Sequence, residues 1–195
     1  MNDQTTLAFA LMQSRQTILP KRLEAPGPDA AQMDLLLGAA ASAPDHGQLL
    51  PWRFVIVPTE ARGCLGVAFA ESLRQRDPKA SPEQLAQAEE KAHRAPVLVL
   101  IVVDTECGDV TIPPHERILS AGCAVQNMLL MATAMGYGSA LTSGKALGAA
   151  PFRQLFRLAP SELALCFMSV GTATSRKPAR LRPTMPDYVS VLDPE

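Results

Sequence analysis

The sequence carries no surplus of charge of either sign: 18 lysines and arginines face 19 aspartates and glutamates. That balance removes any general electrostatic reason to expect nucleic acid or an acidic membrane surface as partner. It also lacks an uninterrupted apolar run of membrane-spanning length, because its most apolar stretch, 118–135, is broken by Ser120, Gln126, Asn127 and Thr133. The four cysteines, Cys64, Cys107, Cys123 and Cys166, lie far apart with no CxxC pair. They read as free thiols in a reducing compartment. The opening MNDQTTLAFALMQSR is too polar at its start and too short in its apolar part for a secretory signal, so a cytoplasmic location is expected. No GxSxG or HExxH occurs, and His46, His93 and His115 show no ligand spacing, which leaves triad hydrolases and zinc sites without local support. Gly136 and Gly138 follow a helical pattern where a dinucleotide fingerprint needs a strand. Gly144-Lys145 ends no phosphate loop, because Ser139 stands where the earlier glycine belongs and Ala146 follows the lysine.

What is present centres on His115 to Gly144. From Ile118 to Met135 the chain is apolar or small almost all the way round, and Pro113 and Pro114 stand where a helix begins. This predicts a long buried helix of roughly 30 Å at about 1.5 Å per residue. The other elements must wrap it, or a second subunit must cover one side. Residues 139–141 then read as a short strand ending in the small polar trio Thr142, Ser143 and Gly144.

A chain of 195 residues, 47% hydrophobic, suits one domain spanning 1–195, with 172–195 as an extended arm rich in proline and cations. The spacing predicts a helix over 7–15 with Leu7, Ala8, Leu11 and Met12 on one face, leaving through Ser14, Arg15, Gln16 and Thr17. A second helix starts at the N-cap Asp29 with Met33, Leu36 and Leu37 inward, and a loop with Asp45, His46 and Gln48 leads into a strand over 53–57. Thr59 and Ser81 each read as helix starts, and 96–103 as a strand covered on both faces. A short helix over 151–158 and a strand over 163–170 follow. Strands separated by helical segments give an α/β (α+β) layered domain: a small mixed sheet flanked by helices around the long central helix.

The loop APDHGQLLPW, the SRQT exit of the first helix, the SAGCAVQNMLLMATAMGYGSALTSG stretch and the VGTATSRKPARLRP tail together resemble the FMN-dependent nitroreductase family, in particular its small, minimal bacterial subgroup. The resemblance implies a homodimer whose central helices pack together, with FMN bound at the interface by residues of both subunits. It further implies NADH or NADPH as hydride donor, a small-molecule electron acceptor of the nitroaromatic or quinone type, and a ping-pong course in which the chemistry resides on the flavin. No catalytic side chain is then required.

In that family the first-helix exit reads Arg-Arg-Ser and contacts the flavin phosphate and ribityl chain; the matching positions are Arg15, Gln16 and Thr17. With Gln16 in place of the second arginine, Arg15 carries more of the contact. The Ala-Pro-Asp-His loop maps flavin contacts from the partner subunit onto His46 and Ser42. Where the subgroup often has Trp-Arg-Ser, the chain has Leu141, Thr142 and Ser143. A stretch matched to nicotinamide contact covers 131–136, although in a buried helix most of it is core. A dianionic phosphate needs paired cations and hydroxyl or backbone donors, which Arg15 and Thr17 with a tail cation, Arg176, Lys177 or Arg180, would provide. Taken alone, Arg15 at a helix C-terminus is also what the helix dipole favours. Two rivals keep the fold and change the role: a flavin-storage protein without turnover, and a flavin enzyme with another reaction such as dehalogenation or flavin cleavage.

Overall fold

The computed structural model describes residues 2–175, 178 and 181–194. Eight residues, seven of them apolar in a row, make strand β3 (Val97–Asp104), and alternation sends them to two cores. Ile101 and Val103 pack toward one layer, and Leu98, Leu100 and Val102 toward the other. β3 pairs with β2 (Trp52–Ile56) on one side and with β5 (Glu162–Ala173) on the other, all antiparallel. Along its middle β5 also pairs with β4 (Gly138–Thr142), and its last two residues pair with the short β1 (Leu23–Glu24). A mixed sheet was expected; every ladder between these strands is antiparallel, and the parallel component is one isolated bridge between Thr17 and Ser139. β5 reaches Ala173, two residues into the expected arm.

One face of the sheet is covered by the central helix α5 (Pro114–Ala134) together with α2 (Ala30–Gly38). The other face carries α3 (Arg62–Arg76), α4 (Pro82–Glu90) and α6 (Ala150–Leu155), with Phe69, Phe152, Phe156 and Phe167 in one ring cluster. Caps behave as their side chains dictate. Asp29 and Ser81 each form a reciprocal capping box, with Gln32 and Gln84 respectively. Thr59 caps nothing: residues 59–61 form a tight turn, and α3 starts only at Arg62, whose buried guanidinium donates to the carbonyls of Val57, Ala92 and Pro96. At the far end of α5, Gly136 takes φ +84°, a left-handed turn that stops the helix and starts β4.

The expectation that α5 is buried all round holds for one face only. Ala121, Ala124, Met128 and Ala132 are fully enclosed, yet Leu119 is 67% exposed and Ile118, Gly122 and Gln126 lie on the same outward stripe. Helix α1 (Asp3–Ser14) goes further, with no buried residue at all: Leu7 is 72% and Phe9 59% exposed, and Met12 is exposed as well. One copy of the chain supplies a single layer on that side, so both apolar stripes face outward. Exposed contiguous apolar surface of this kind marks an interaction face.

Arg53 and Glu162 join β2 to β5 by a paired contact, Nε to Oε1 at 2.5 Å and Nη2 to Oε2 at 3.0 Å. The hydrogen bond from Arg53 holds the Glu162 carboxyl below its ordinary value of 4.5. An acid with a depressed folded-state pKa stabilises the fold at pH above that ordinary value and loses the contribution as pH falls through the folded value. Chemical denaturation at pH 6 and pH 4 therefore gives a smaller acid loss in Glu162→Gln than in the parent, by about 1 kcal/mol or less because the pair is partly exposed.

Candidate functional site

The exit of α1 is stitched to the sheet. Arg15 closes the helix with its N–H on the Leu11 carbonyl, Thr17 bridges Ser139 of β4, and the Ile18 N–H donates to the Ser139 carbonyl at 2.9 Å. Ile18 is buried at this seam, which fixes Arg15, Gln16 and Thr17 beside the strand that ends in Leu141, Thr142 and Ser143. These six sequence-predicted residues thus belong to one region. Ser139 Oγ, at the seam itself, is buried without a hydrogen-bond partner among the described residues. An unpaired buried hydroxyl costs about 1–3 kcal/mol, and Ser139 lines neither of the two cavities that flank the seam.

A cavity of about 300 Å³ opens on the α1 side of the seam, lined by Arg15, Gln16, Thr17, Arg22 and Arg182 among others. Its lining contains three arginines and no carboxylate, and none of the three forms an ion pair with a described residue. Arg182 folds back from the tail and donates to the carbonyls of Arg15 at 2.9 Å and Gln13 at 3.4 Å. Neither Arg22 nor Arg182 was among the residues predicted for the site. No spacing marks them, because both depend on the path of the chain after the helix exit. Arg176, Lys177 and Arg180 lie outside the described residues. Guanidinium groups without carboxylate partners beside the Thr17 hydroxyl are a phosphate-binding inventory.

On the other flank of the same segment, a second cavity of about 280 Å³ is lined by Pro20, by Thr142, Ser143, Gly144 and Lys145, and by side chains of α3 and of the 91–94 turn. Leu141, Thr142 and Ser143 are all exposed at its edge or beyond.

Ser42 and His46 sit elsewhere. The loop that carries them is pinned to the first turns of α5: His46 Nδ1 lies 2.6 Å from Glu116 Oε2, and Ser120 Oγ donates to the Pro44 carbonyl at 2.6 Å. The Leu50 N–H donates to Asp45 Oδ2, and Gly47, Gln48 and Leu50 all take positive φ, so the loop is held in a strained, defined shape. Both His46 and Ser42 are exposed, and neither lines either cavity. Within one chain the predicted site is therefore two half-sites, one anchored at the start of α5 and one beyond its end. Residues 131–136, matched to nicotinamide contact, are less enclosed than expected: Ala132 is fully buried and Met131 and Met135 pack partly buried against the core, whereas Ala134 and Gly136 are exposed. Among the described residues no cluster of histidine, cysteine and acidic side chains could hold a metal ion.

Comparison with known proteins bears on the family and the fold. The model of the Nitroreductase family matches residues 12–172. A protein of Haemophilus influenzae named "Putative NAD(P)H nitroreductase" is 31% identical over 169 residues, covering 87% of this chain and 90% of that one. A nitroreductase-like family protein from Bacillus cereus has the same fold at a TM-score of 0.80, with 17% identity over 99% of both chains. An FMN-dependent nitroreductase from Clostridium difficile R20291 superposes at a TM-score of 0.67, with 19% identity over 95% of this chain and 99% of that one.

Proposed function

Since the chain belongs to the nitroreductase family, we propose that it is an FMN-dependent oxidoreductase that takes hydride from NADH or NADPH and reduces nitroaromatic, quinone or related acceptors. The observation that carries this reading is the carboxylate-free cavity of Arg15, Arg22 and Arg182 at the helix exit. The names of its relatives support the same cofactors, NAD(P)H for the Haemophilus protein and FMN for the clostridial one.

In this reading Arg15 and Arg182 hold the flavin phosphate, Thr17 adds a hydroxyl donor, and Arg22 supplies a third positive charge. Gln16 offers an amide to the ribityl hydroxyls. Leu141, Thr142 and Ser143 form the ledge for the ring, with apolar surface from the leucine and two hydroxyls for the polar edge. Bound FMN supplies the capacity to accept and return a hydride; the protein contributes position, charge and exclusion of water.

The second half-site reaches the first through dimerisation. When two copies pair along the outward stripe of α5 about a two-fold axis perpendicular to the helix, the helices run antiparallel, and the start of one α5 meets the far end of the other. Ser42 of the partner subunit and the partner's His46 then face the helix exit of the first copy, and the exposed faces of α1 and α5 are covered together. A cytoplasmic location fits the four cysteines, none of which is in a disulfide.

Leu119→Arg puts a charge in the middle of the stripe. Sedimentation at micromolar protein is expected to shift from dimer to monomer, with bound FMN lost in parallel. A dimer that tolerates the arginine would remove α5 from the interface.

The activity itself is tested by anaerobic mixing of the FMN-loaded protein with each nicotinamide. Bleaching of the visible flavin band, followed by recovery on adding a nitroarene or quinone, is the expected result. Flavin that binds and stays oxidised would mean storage without turnover.

A further inference from the structure

Beyond Thr142 and Ser143, the cavity at the end of β4 is lined by side chains that the flavin reading does not use. Its inner surface is aromatic and apolar, with Phe69 and Phe167 edge to face at 6.0 Å. Four cations surround that surface: Arg76 from the end of α3, Lys91 and Arg94 from the turn after α4, and Lys145 directly after Ser143 and Gly144. No aspartate or glutamate lines it. Glu90 pairs with Arg94, whereas Arg76, Lys91 and Lys145 have no ion-pair partner among the described residues. The chain as a whole carries a formal charge of −1, so this is a local excess of one sign.

We propose that this cavity receives the electron acceptor and selects aromatic acceptors that carry an anionic substituent, such as a carboxylate on a nitroarene. The inference rests on the flavin reading above, because it places the acceptor next to a ring supported on Thr142 and Ser143. A cavity of about 280 Å³ is near the lower end for small-molecule sites. It takes one ring with its substituents. The aromatic floor supplies contact area, and the three uncompensated cations lower the energy of an anion there and raise its arrival rate. Bound reduced FMN would supply the hydride and the buffered solvent one proton, which balances conversion of a nitro group to nitroso with loss of one molecule of water, while the cations of the cavity would hold the anionic substituent.

The test uses the FMN-loaded protein reduced beforehand with dithionite, so that no nicotinamide competes for the cations. Stopped-flow reoxidation is followed under anaerobic conditions with 4-nitrobenzoate, 4-nitrobenzamide and a 4-nitrobenzyl trimethylammonium salt. The expected second-order rate constants fall in that order, with the anion ahead of the neutral amide by about tenfold at low salt and the gap closing near 0.5 M salt. Lys91→Gln combined with Lys145→Gln reduces the ratio of anion to amide severalfold, and Lys79→Gln, on the surface outside the cavity, leaves the ratio as it is. Equal rates for the three acceptors overturn the proposal, as does a ratio that the double variant does not change. Loss of FMN from the double variant with the ratio intact also overturns it, and assigns the cations to the flavin. If the amide reoxidises the flavin without any charge preference, only this inference fails. If no flavin binds, the reading of the function fails with it.

Discussion

Arg15→Ala is expected to weaken FMN binding by about ten- to a hundredfold, since a charge-assisted hydrogen bond contributes about 1.5–3 kcal/mol and each 1.4 kcal/mol is a factor of ten. Arg15 is the one cation in its segment, where the uncharged Gln16 and Thr17 follow it. No described residue competes for its guanidinium. Arg182→Ala acts on the same cavity in two ways, removing a cation and releasing the tail from the carbonyls of Arg15 and Gln13. The two substitutions share a ligand and are not expected to be additive. Titration of the apoprotein with FMN, read by quenching of flavin fluorescence, gives the affinities, and sedimentation checks that the substitutions leave the proposed dimer as it is in the parent. Unchanged affinity in Arg15→Ala would take Arg15 out of the phosphate site.

The largest expected loss of stability comes from Arg62→Met. Arg62 is 4% exposed and donates to Val57 at 2.9 Å, Ala92 at 2.8 Å and Pro96 at 3.3 Å. Burial lowers its pKa from the ordinary arginine value, and the three carbonyls keep the charged form solvated in place of water. Methionine fills most of the volume but leaves those carbonyls without a donor. The expected cost is about 3–5 kcal/mol, within the range for breaking a buried charged contact. At about 2–4 °C per kcal/mol for a chain of this size, Tm falls by roughly 10 °C. Arg62→Lys recovers only part, since one ammonium cannot span three acceptors from that position. A thermal scan of both variants decides this, and a shift under about 2 °C in Arg62→Met, less than 1 kcal/mol on the same scale, would contradict the argument. Because Arg62 ties the end of β2 to the turn after α4, the same variant is expected to loosen the wall of the cavity that holds Lys91 and Arg94.

The amino-acid sequence alone makes much of this architecture legible, wherever local chemistry decides the outcome. The unbroken apolar run of β3 requires cover on both faces and has it. Asp29 and Ser81 start helices because a side-chain oxygen can reach an N–H three residues on, and Gln32 and Gln84 return the bond. Thr59 has the same chemistry available, but the three carbonyls that draw in Arg62 set the course of the chain there. A helix that is apolar all round gives no sign of which face its own chain buries, so the outward stripe of α5 could not be read from sequence. For α1, a single chain offers no layer for its apolar face to meet. The half-site at Arg15 to Thr17 and Leu141 to Ser143 was legible as two segments, and the bridge from Thr17 to Ser139 supplies their relation. Arg182 was not legible, because its part depends on a proline-rich tail turning back to the helix exit. Buried arginines are equally silent, since a charge in a sequence reads as surface. Arg117 is another: it is 2% exposed and donates to the carbonyls of Cys107, Asp109 and Ile112, closing the loop before α5.

The central claim is that two copies each contribute half of the flavin site, and mixing subunits tests it most directly. Arg15→Ala and His46→Ala homodimers each carry a lesion in both sites, and both are expected to retain little FMN. Unfolded together and refolded as a mixture, half of the dimers are mixed, and each of these has one site with both lesions and one with neither. The account predicts recovery of about a quarter of the parental FMN content and of the flavin band that NADH or NADPH bleaches. A mixture that binds no more flavin than its parents would contradict it, since each site would then be built within a single chain.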